Sequence, residues 1–351
     1  MDIAEAQRLW HPETLYLNTA SYGLPPDPAW EAFQAALEDW HCGRTSWEHW
    51  GDSTEAARGL FARMVGVPLD WVAIGSNTSS MVGLVAASLP DGARVLSAEP
   101  EFTSLLWPFL AQGRAIEVEL VAVDALADSV DERTDVVALS AVQSATGELA
   151  DLDAVADAAA AHGARVVVDA TQACGWLPLD ATRVDALACS AYKWLCSPRG
   201  TAFVSLRPEL GETLTPHAAG WYAGVDPYAS FYGAPLRLAP GARRFDVSPA
   251  WFPWVATAPT LELLLEIGID AIHEHDLRLA NRFREGLGLP PGDSAIVSTE
   301  LPEVEERLAG TRVMAAGRAG LLRTSFHVYN TDEDVDEVLE LLGRSPASAP
   351  G

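Results

Sequence analysis

The chain has 351 residues, 49% hydrophobic and 21% charged, with 49 acidic against 23 basic side chains and a net charge of −26. That composition describes a folded soluble protein too long for one ordinary core, and its charge excludes nucleic acid and anionic membrane surfaces as natural partners. Cys42, Cys174, Cys189 and Cys196 show no C-x-x-C spacing and the N-terminus no signal peptide, so neither a zinc site nor a disulfide framework is indicated and a cytoplasmic location is expected.

Residues 1–14 read as a short helical lead-in, and Leu15-Tyr16-Leu17-Asn18 as a brief strand that breaks at Gly23-Leu24-Pro25-Pro26. Trp30, Phe33, Ala36, Leu37 and Trp40 recur at helical spacing. Trp47, His49 and Trp50 fall in a polar loop, where core packing is preferred to a substrate wall, and a second helix runs from Ser53 to Val65. Val72-Ala73-Ile74-Gly75 is a strand that opens through Ser76-Asn77-Thr78-Ser79-Ser80 into a helix reaching Leu89. Free amides and hydroxyls at such a helix start can hold an anion, although a simple N-cap has the same pattern. The stretch lacks the glycines of a dinucleotide or nucleoside triphosphate loop, which argues against a nicotinamide-dependent dehydrogenase.

Arg94-Val95-Leu96-Ser97 is a further strand, followed by Glu99-Pro100-Glu101-Phe102-Thr103-Ser104 and a helix through Leu110. Val136 to Ser140 is another, ending in Gln143-Ser144-Ala145-Thr146-Gly147, with a helix from Asp153 to His162 beyond it. Arg165-Val166-Val167-Val168 reads as a buried parallel strand that ends on Asp169. This alternation predicts a mostly parallel sheet covered on both faces, with ligands at the carboxyl ends of its strands, where Asn77, Ser144 and Asp169 fall. Thr201 to Leu206 is the last strand of that sheet, and the irregular stretch from Pro208 to about Pro253 suits the cap of a pocket or a subunit contact. Helices from Trp254 to Ile267 and Asp270 to Gly286 lead to a small α/β unit containing Arg312-Val313-Met314, Leu321 to Phe326 and a helix from Asp332 to Leu342. His273-Glu274-His275 and the acidic run at Asp332 read as solvated helix faces, so no metal site is expected.

Lys193 is the only lysine among the 23 basic residues, and it lies in Ser190-Ala191-Tyr192-Lys193-Trp194-Leu195. A desolvated amine can lose its proton and attack a carbonyl, which a guanidinium cannot. A lone amine 24 residues after a buried strand-end carboxylate, with a hydroxyl-rich anion loop and the aromatic Phe102, is what a pyridoxal phosphate site needs. The lysine holds the aldehyde, the carboxylate keeps the pyridine nitrogen protonated, and the anion loop takes the phosphate.

With Val166-Val167-Val168-Asp169-Ala170-Thr171-Gln172, the Lys193 stretch and Pro198-Arg199-Gly200, the chain resembles the fold-type I pyridoxal 5'-phosphate (PLP) enzymes of aminotransferase class V. That group includes cysteine desulfurases, kynureninase and isopenicillin-N-epimerase-like proteins, and the resemblance runs from about Leu15 to Leu342. It implies an α/β fold with a large domain, built on a seven-stranded-type sheet between helices, and a small C-terminal α/β domain. The expected divisions are 1–20, 21–250 and 251–351. Lys193 would be the Schiff-base lysine and, with Asp169, the catalytic pair. Gln172 would contact the ring's phenolic oxygen, and Ser144 stands where many members have Asn beside the ring. Ser190 and Tyr192 would join Asn77, Thr78 and Ser79 around the phosphate, Phe102 would stack on the ring, and Arg323 would clamp the substrate's α-carboxylate. Phe245-Asp246-Val247-Ser248-Pro249-Ala250 aligns loosely with a segment that reaches the neighbouring subunit's phosphate. Ala315 to Gly320 lacks the persulfide-forming cysteine of desulfurases.

The resemblance implies a homodimer acting on a small amino-acid-type substrate, with transamination favoured. Elimination of a Cβ substituent and epimerisation are the alternatives. A catalytically silent binding module would be expected to lose Lys193 or Asp169, and both are present.

Overall fold

The computed structural model describes residues 1–44, 46–300, 308–318 and 320–344. Ala319 and the expected domain end at 351 lie outside these. Strand β1 (Leu15–Tyr16) precedes the seven strands of the main sheet: β2 (Val72–Gly75), β3 (Arg94–Ala98), β4 (Glu117–Val121), β5 (Val136–Ser140), β6 (Arg165–Asp169), β7 (Ala186–Ser190) and β8 (Ala202–Leu206). Their order is β2-β8-β7-β6-β5-β3-β4. Only β8 runs against the rest, pairing antiparallel with both β2 and β7. The register sets Ser140 beside Asp169, Asp169 beside Ala188, and Ser190 beside Ala202. The carboxyl ends of β5, β6 and β7 therefore meet on one edge, where β8 reverses the sheet's direction.

Two of these strands escape the sequence pattern for opposite reasons. β4 is a largely exposed edge strand carrying Glu117 and Glu119, whose charges blunt the edge and dilute its apolar signal. β7, Ala-Leu-Ala-Cys-Ser, is wholly buried but lacks the β-branched residues that mark a strand.

The helix Glu48–Met64 begins earlier than its local polarity suggests, and it takes in His49 and Trp50. Tertiary packing accounts for this. Trp47 stacks on Trp251 at 5.5 Å and Trp50 meets Phe252 at 4.9 Å, so both tryptophans lie against the helix Trp251–Ile267. Between Pro208 and Ala250 the chain forms only short turns, as the composition implies. Tyr228, Phe231, Tyr232 and Leu236 stand exposed along it.

The C-terminal part is a three-stranded antiparallel sheet of β9 (Ile296–Thr299), β11 (Ala316–Arg318) and β12 (Leu321–Ser325), ordered β11-β12-β9. Strand β10 (Val313–Met314) pairs in parallel with β1, which ties the N-terminal segment to this part of the chain. The helices Ile269–Gly286 and Asp332–Leu341 pack on it through Leu279, Phe283, Val335, Val338 and Leu339. Thr331 and Asp334 form a capping box at the start of the second helix, so its acidic run is a helix N-terminus. The solvated-face reading of His273-Glu274-His275 needs correction. Glu274 is exposed, but His275 is buried with Nε2 3.1 Å from the Asn330 carbonyl, and His273 stacks on Trp176. The helix Ile269–Gly286 is packed on more than one side, and both histidines are taken up by that packing.

His327 clamps the C-terminal part to the Lys193 segment. It is fully buried, with Nδ1 3.0 Å from Asp276 Oδ2 and Nε2 2.9 Å from the Trp194 carbonyl. Both ring nitrogens face acceptors, an arrangement that requires the imidazolium. Burial opposes the charge, but the neighbouring Cys196 sulfur and then the Asp276 carboxylate prevail and raise the pKa to about 10. A histidine raised in the folded state contributes stability that is complete below its unfolded value of about 6.5 and is lost as pH climbs through the folded one. Melting temperature is therefore expected to fall between pH 7 and pH 10 more steeply in the wild type than in His327→Gln. Lys193, lowered to about 8, gives the apoprotein a slope of the opposite sign, so the comparison with the variant isolates His327. Equal slopes would contradict the charged clamp.

Candidate active site

The carboxyl edge of the main sheet carries a cavity of about 400 Å³, lined by Asn77, Thr78, Ser79, Phe102, Ser144, Asp169, Gln172, Ser190, Tyr192 and Lys193. These are all the expected site residues except Arg323. Ser76, Ser104, Ser140, Thr171, Arg199 and Gly200 complete the wall.

Lys193 lies in a tight backbone passage between two close neighbours. A Cβ on Gly23 would fall 1.9 Å from the Lys193 carbonyl oxygen, and one on Gly175 would fall 2.5 Å from the Trp194 carbonyl oxygen. The Gly23 amide donates to the Tyr192 carbonyl at 2.9 Å. The loop that looked from sequence like a simple chain break thus packs directly on the lysine segment. Lys193 is 5% exposed, and its Nζ lies 5.3 Å from the centre of the Phe102 ring. Among the described residues no hydrogen bond engages this amine. Burial lowers its pKa to about 8, Asp169 opposes the shift, and the guanidiniums of Arg323 and Arg318 add to it. Near neutral pH a fraction of this side chain is a free nucleophile.

Asp169 ends β6 as a buried carboxylate, and the Thr171 amide donates to its Oδ1 at 2.9 Å. Burial raises its pKa, while Thr171 and Lys193 work against that rise.

The anion loop is built at the start of the helix Thr78–Ser88. Asn77 Oδ1 accepts from the Ser80 amide at 2.9 Å and from the Ser79 hydroxyl at 2.8 Å. Ser190 Oγ accepts from the Thr78 amide at 2.9 Å, and the Thr78 hydroxyl lies 2.8 Å from Ser190 Oγ and 2.9 Å from Thr171 Oγ1. Thr171 Oγ1 in turn accepts from the Ser190 amide. Strands β6 and β7 and the helix start are thereby linked by one hydroxyl cluster.

On the other side of the cavity, Gln172 is fully engaged. Its Nε2 donates to the Ala20 carbonyl at 2.9 Å and to Ser144 Oγ at 3.1 Å, and its Oε1 accepts from Trp194 Nε1 at 2.8 Å. Arg323, 2% exposed, sits behind Ser144 and not on the cavity wall. Its Nη1 donates to Ser144 Oγ and to the Ser144 carbonyl, and its Nη2 donates to Ser21 Oγ at 2.7 Å.

Phe102 is held by a residue that the sequence pattern did not single out. The Glu101 carboxylate accepts from the Phe102 amide at 2.6 Å, from the Ser140 amide at 2.8 Å, from the Ser140 hydroxyl at 2.6 Å and from Gln143 Nε2 at 3.1 Å. Burial raises its pKa and these donors offset the rise. Glu101 thus fixes the Phe102 ring against the end of β5. Thr171 and Ser76 could have been found, since both stand inside stretches already singled out. Glu101 and Ser21 carry no such signal, because, apart from the Phe102 amide next to Glu101, the partners named here are more than 30 residues away. Asp246 has a structural place. It is fully buried, 2.6 Å from Arg58 Nη2, and Oδ1 accepts from the Ile74 amide.

A doubly wound sheet whose carboxyl edge presents a depressed lysine amine, a buried carboxylate, an aromatic face and an anion-binding helix start defines a site for an aldehyde cofactor bearing a phosphate. The donor set fits that group: an amine with no described hydrogen bond, an acid beyond it, and hydroxyls gathered at a helix N-terminus.

A family model for aminotransferase class V matches residues 42–309. An isopenicillin N epimerase of Streptomyces clavuligerus is 28% identical, covering 97% of this chain and 96% of its own. An uncharacterised aminotransferase of Bacillus subtilis is 26% identical over 92% of both chains, and a probable cysteine desulfurase of Pyrococcus abyssi 24% over 94% of both. Among solved structures, a cystine C–S lyase in complex with cysteine persulfide superposes with a TM-score of 0.85 at 22% identity, covering 95% of this chain and 98% of the lyase. A lyase variant with glycine covalently linked to its PLP cofactor gives 0.86 at 21% identity, covering 97% and 99%. The chain belongs to aminotransferase class V. It is an enzyme of that family, and its cofactor is pyridoxal 5'-phosphate.

Proposed function

We propose that this enzyme transfers the α-amino group of a small amino-acid-type substrate. The observation that carries this reading is the buried Lys193 amine, directed at the cavity beside Asp169 with no acid hydrogen-bonded to it. When bound, PLP supplies a ring that accepts the electron pair left at the substrate's Cα. Asp169 would keep a proton on the ring nitrogen. The hydroxyls of Thr78, Ser79 and Ser190 and the helix start at Asn77 would hold the phosphate. Phe102 would pack on the ring, and Arg323, held behind Ser144, would have to reach past it to take the α-carboxylate. Lys193 would be the base that takes the proton from the substrate's Cα and the acid that gives it back.

Transamination is preferred on the family reading, and the lining supplies the base it needs. The described titratable lining groups are Asp169, Tyr192, Lys193 and Arg199. Burial raises the Tyr192 pKa and lowers that of Lys193, so Lys193 is the base among them. Persulfide formation on the protein needs a thiol, and no described cysteine lines the cavity.

The division near residue 250, the cytoplasmic location and a homodimer belong to the same proposal. The exposed Tyr228, Phe231, Tyr232 and Leu236 supply an apolar surface for a second copy, and no helix of the described residues is long and apolar enough to cross a membrane. The test is a single turnover with candidate amino acids. One 2-oxo acid per subunit, matched by amine-form cofactor, is expected. Release of sulfide or pyruvate from cysteine, or accumulation of the opposite enantiomer without oxo acid, would overturn the reading.

A further inference from the structure

Arg199 is the one guanidinium on the cavity wall among the described residues. The sheet order decides which end of the cavity it serves. It stands just before β8, and β8 lies between β2 and β7, with Ala202 paired to Gly75 on one side and to Ser190 on the other. Arg199 therefore belongs to the end of the row that carries Ser76, Asn77 and Ser190, whereas Gln172 and Ser144 follow β6 and β5 at the other end. The Tyr22 hydroxyl accepts from the Arg199 amide at 3.2 Å, and the guanidinium carbon lies 4.6 Å from the centre of the Tyr192 ring. Lys193 Nζ lies 5.8 Å from the same centre, so one aromatic ring has both cavity cations against it. Among the described residues no carboxylate stands within ion-pair distance of Arg199, whereas Arg58, Arg183 and Arg282 are paired with acids.

The charges on the wall give this cation a task. The described lining holds one acid, Asp169, and two bases, Lys193 and Arg199. Asp169 and Lys193 already act on one another, and the ring nitrogen and the aldehyde occupy them. The side chains gathered at the helix start, Ser76, Asn77, Thr78, Ser79 and Ser190, are all neutral. A phosphate monoester carries about 1.5 to 2 negative charges near neutral pH, and a helix N-terminus offsets roughly half a charge. In a chain of net charge −26 the remainder has to be met locally. We propose that Arg199 is the cation of the phosphate site and binds the cofactor's phosphate together with the Asn77 helix start. A guanidinium fork suits phosphate oxygens. A substrate carboxylate is the weaker alternative, because the register sets Arg199 across β7 and β6 from Ser144, behind which Arg323 lies. The proposal rests on the placement of the phosphate given above.

The experiment is equilibrium dialysis of the holoenzyme against stepped concentrations of PLP, or of pyridoxal, which has the ring and aldehyde without the phosphate, with occupancy read by absorbance. Arg199→Gln is expected to weaken PLP binding by about 10- to 100-fold, the range for one charge-assisted contact, and pyridoxal binding by less than about twofold. Arg199→Lys, which keeps the charge, should recover most of the loss. In phosphorus NMR of the bound cofactor, the phosphate should take up a proton at higher pH in Arg199→Gln than in the wild type. Arg199 is exposed and its described side-chain contact is the Tyr192 ring, so the variants are expected to fold. Equal losses for PLP and pyridoxal, or a loss that Arg199→Lys leaves unrepaired, would overturn the proposal. So would an unchanged PLP affinity in Arg199→Gln, and weaker binding of unreactive butyrate by that variant would then assign Arg199 to the substrate. A wild type that binds pyridoxal as tightly as PLP would instead sink the placement of the phosphate itself.

Discussion

Replacing Lys193 by alanine is expected to lower kcat for amino transfer by about 10²- to 10⁴-fold, the usual contribution of a positioned proton-transfer group. The site offers no substitute base: burial raises the Tyr192 pKa, and Asp169, which accepts from the Thr171 amide, would be engaged by the ring nitrogen in the proposed function. Lys193→Arg should fare no better, because a guanidinium keeps its proton and cannot act as the nucleophile or the base. Stability should change little in Lys193→Ala, since the amine makes no described hydrogen bond whose loss would strand a partner, whereas Lys193→Arg buries a permanent charge and should be less stable. Single-turnover kinetics with the best amino donor measures the effect. A variant retaining more than a tenth of wild-type turnover would mean that another group moves the proton.

Asp246→Ala is expected to destabilise the protein by about 3–5 kcal/mol, the cost of breaking a buried ion pair. Arg58 and Asp246 are both fully buried, and Arg58 also donates to the Val72 carbonyl at 2.7 Å. Removing the carboxylate leaves the guanidinium with only the half-exposed Glu55 and the Val72 carbonyl, and strands the Ile74 amide. Because the pair fixes β2, which leads into Ser76 and Asn77, the same variant should bind the cofactor's phosphate more weakly. Arg58→Met with Asp246→Leu should recover much of the loss, since an apolar pair of similar volume carries no desolvation penalty. Urea unfolding gives the stabilities, and a loss under about 1 kcal/mol for Asp246→Ala would mean that Glu55 alone compensates Arg58.

The parts of this fold that were legible share a local signature. Strands β2, β3, β5, β6 and β8 are short apolar runs bounded by turn residues, and the Asn77 loop and Asp169 sit at their ends, whereas Lys193 follows β7 and was marked by being the lone lysine. The whole expected lining was readable because each residue follows directly from a strand or from the lysine segment. What was not legible depends on partners distant in sequence. Glu101 is an ordinary loop acid until the chain brings Ser140 and Gln143 to it. The Gly23 turn gives no hint of Lys193, 170 positions away. Arg323 was identified, but its position behind Ser144 and its sharing of Ser21 with Arg318 come from the hairpin register. His275 was misjudged because alternating positions on a helix were taken to leave it in solvent, and the Asn330 carbonyl that buries it lies 55 residues on.

The most direct test of the account is the covalent link between Lys193 and the cofactor. The purified protein should be yellow. Borohydride should abolish that absorbance and fix one cofactor per chain, found by peptide mass spectrometry on Lys193 alone. Lys193→Ala should bind the cofactor without becoming fixed to it. A colourless protein that stays colourless with added PLP, or a wild-type chain with no modification at Lys193 after reduction, would contradict the central claim.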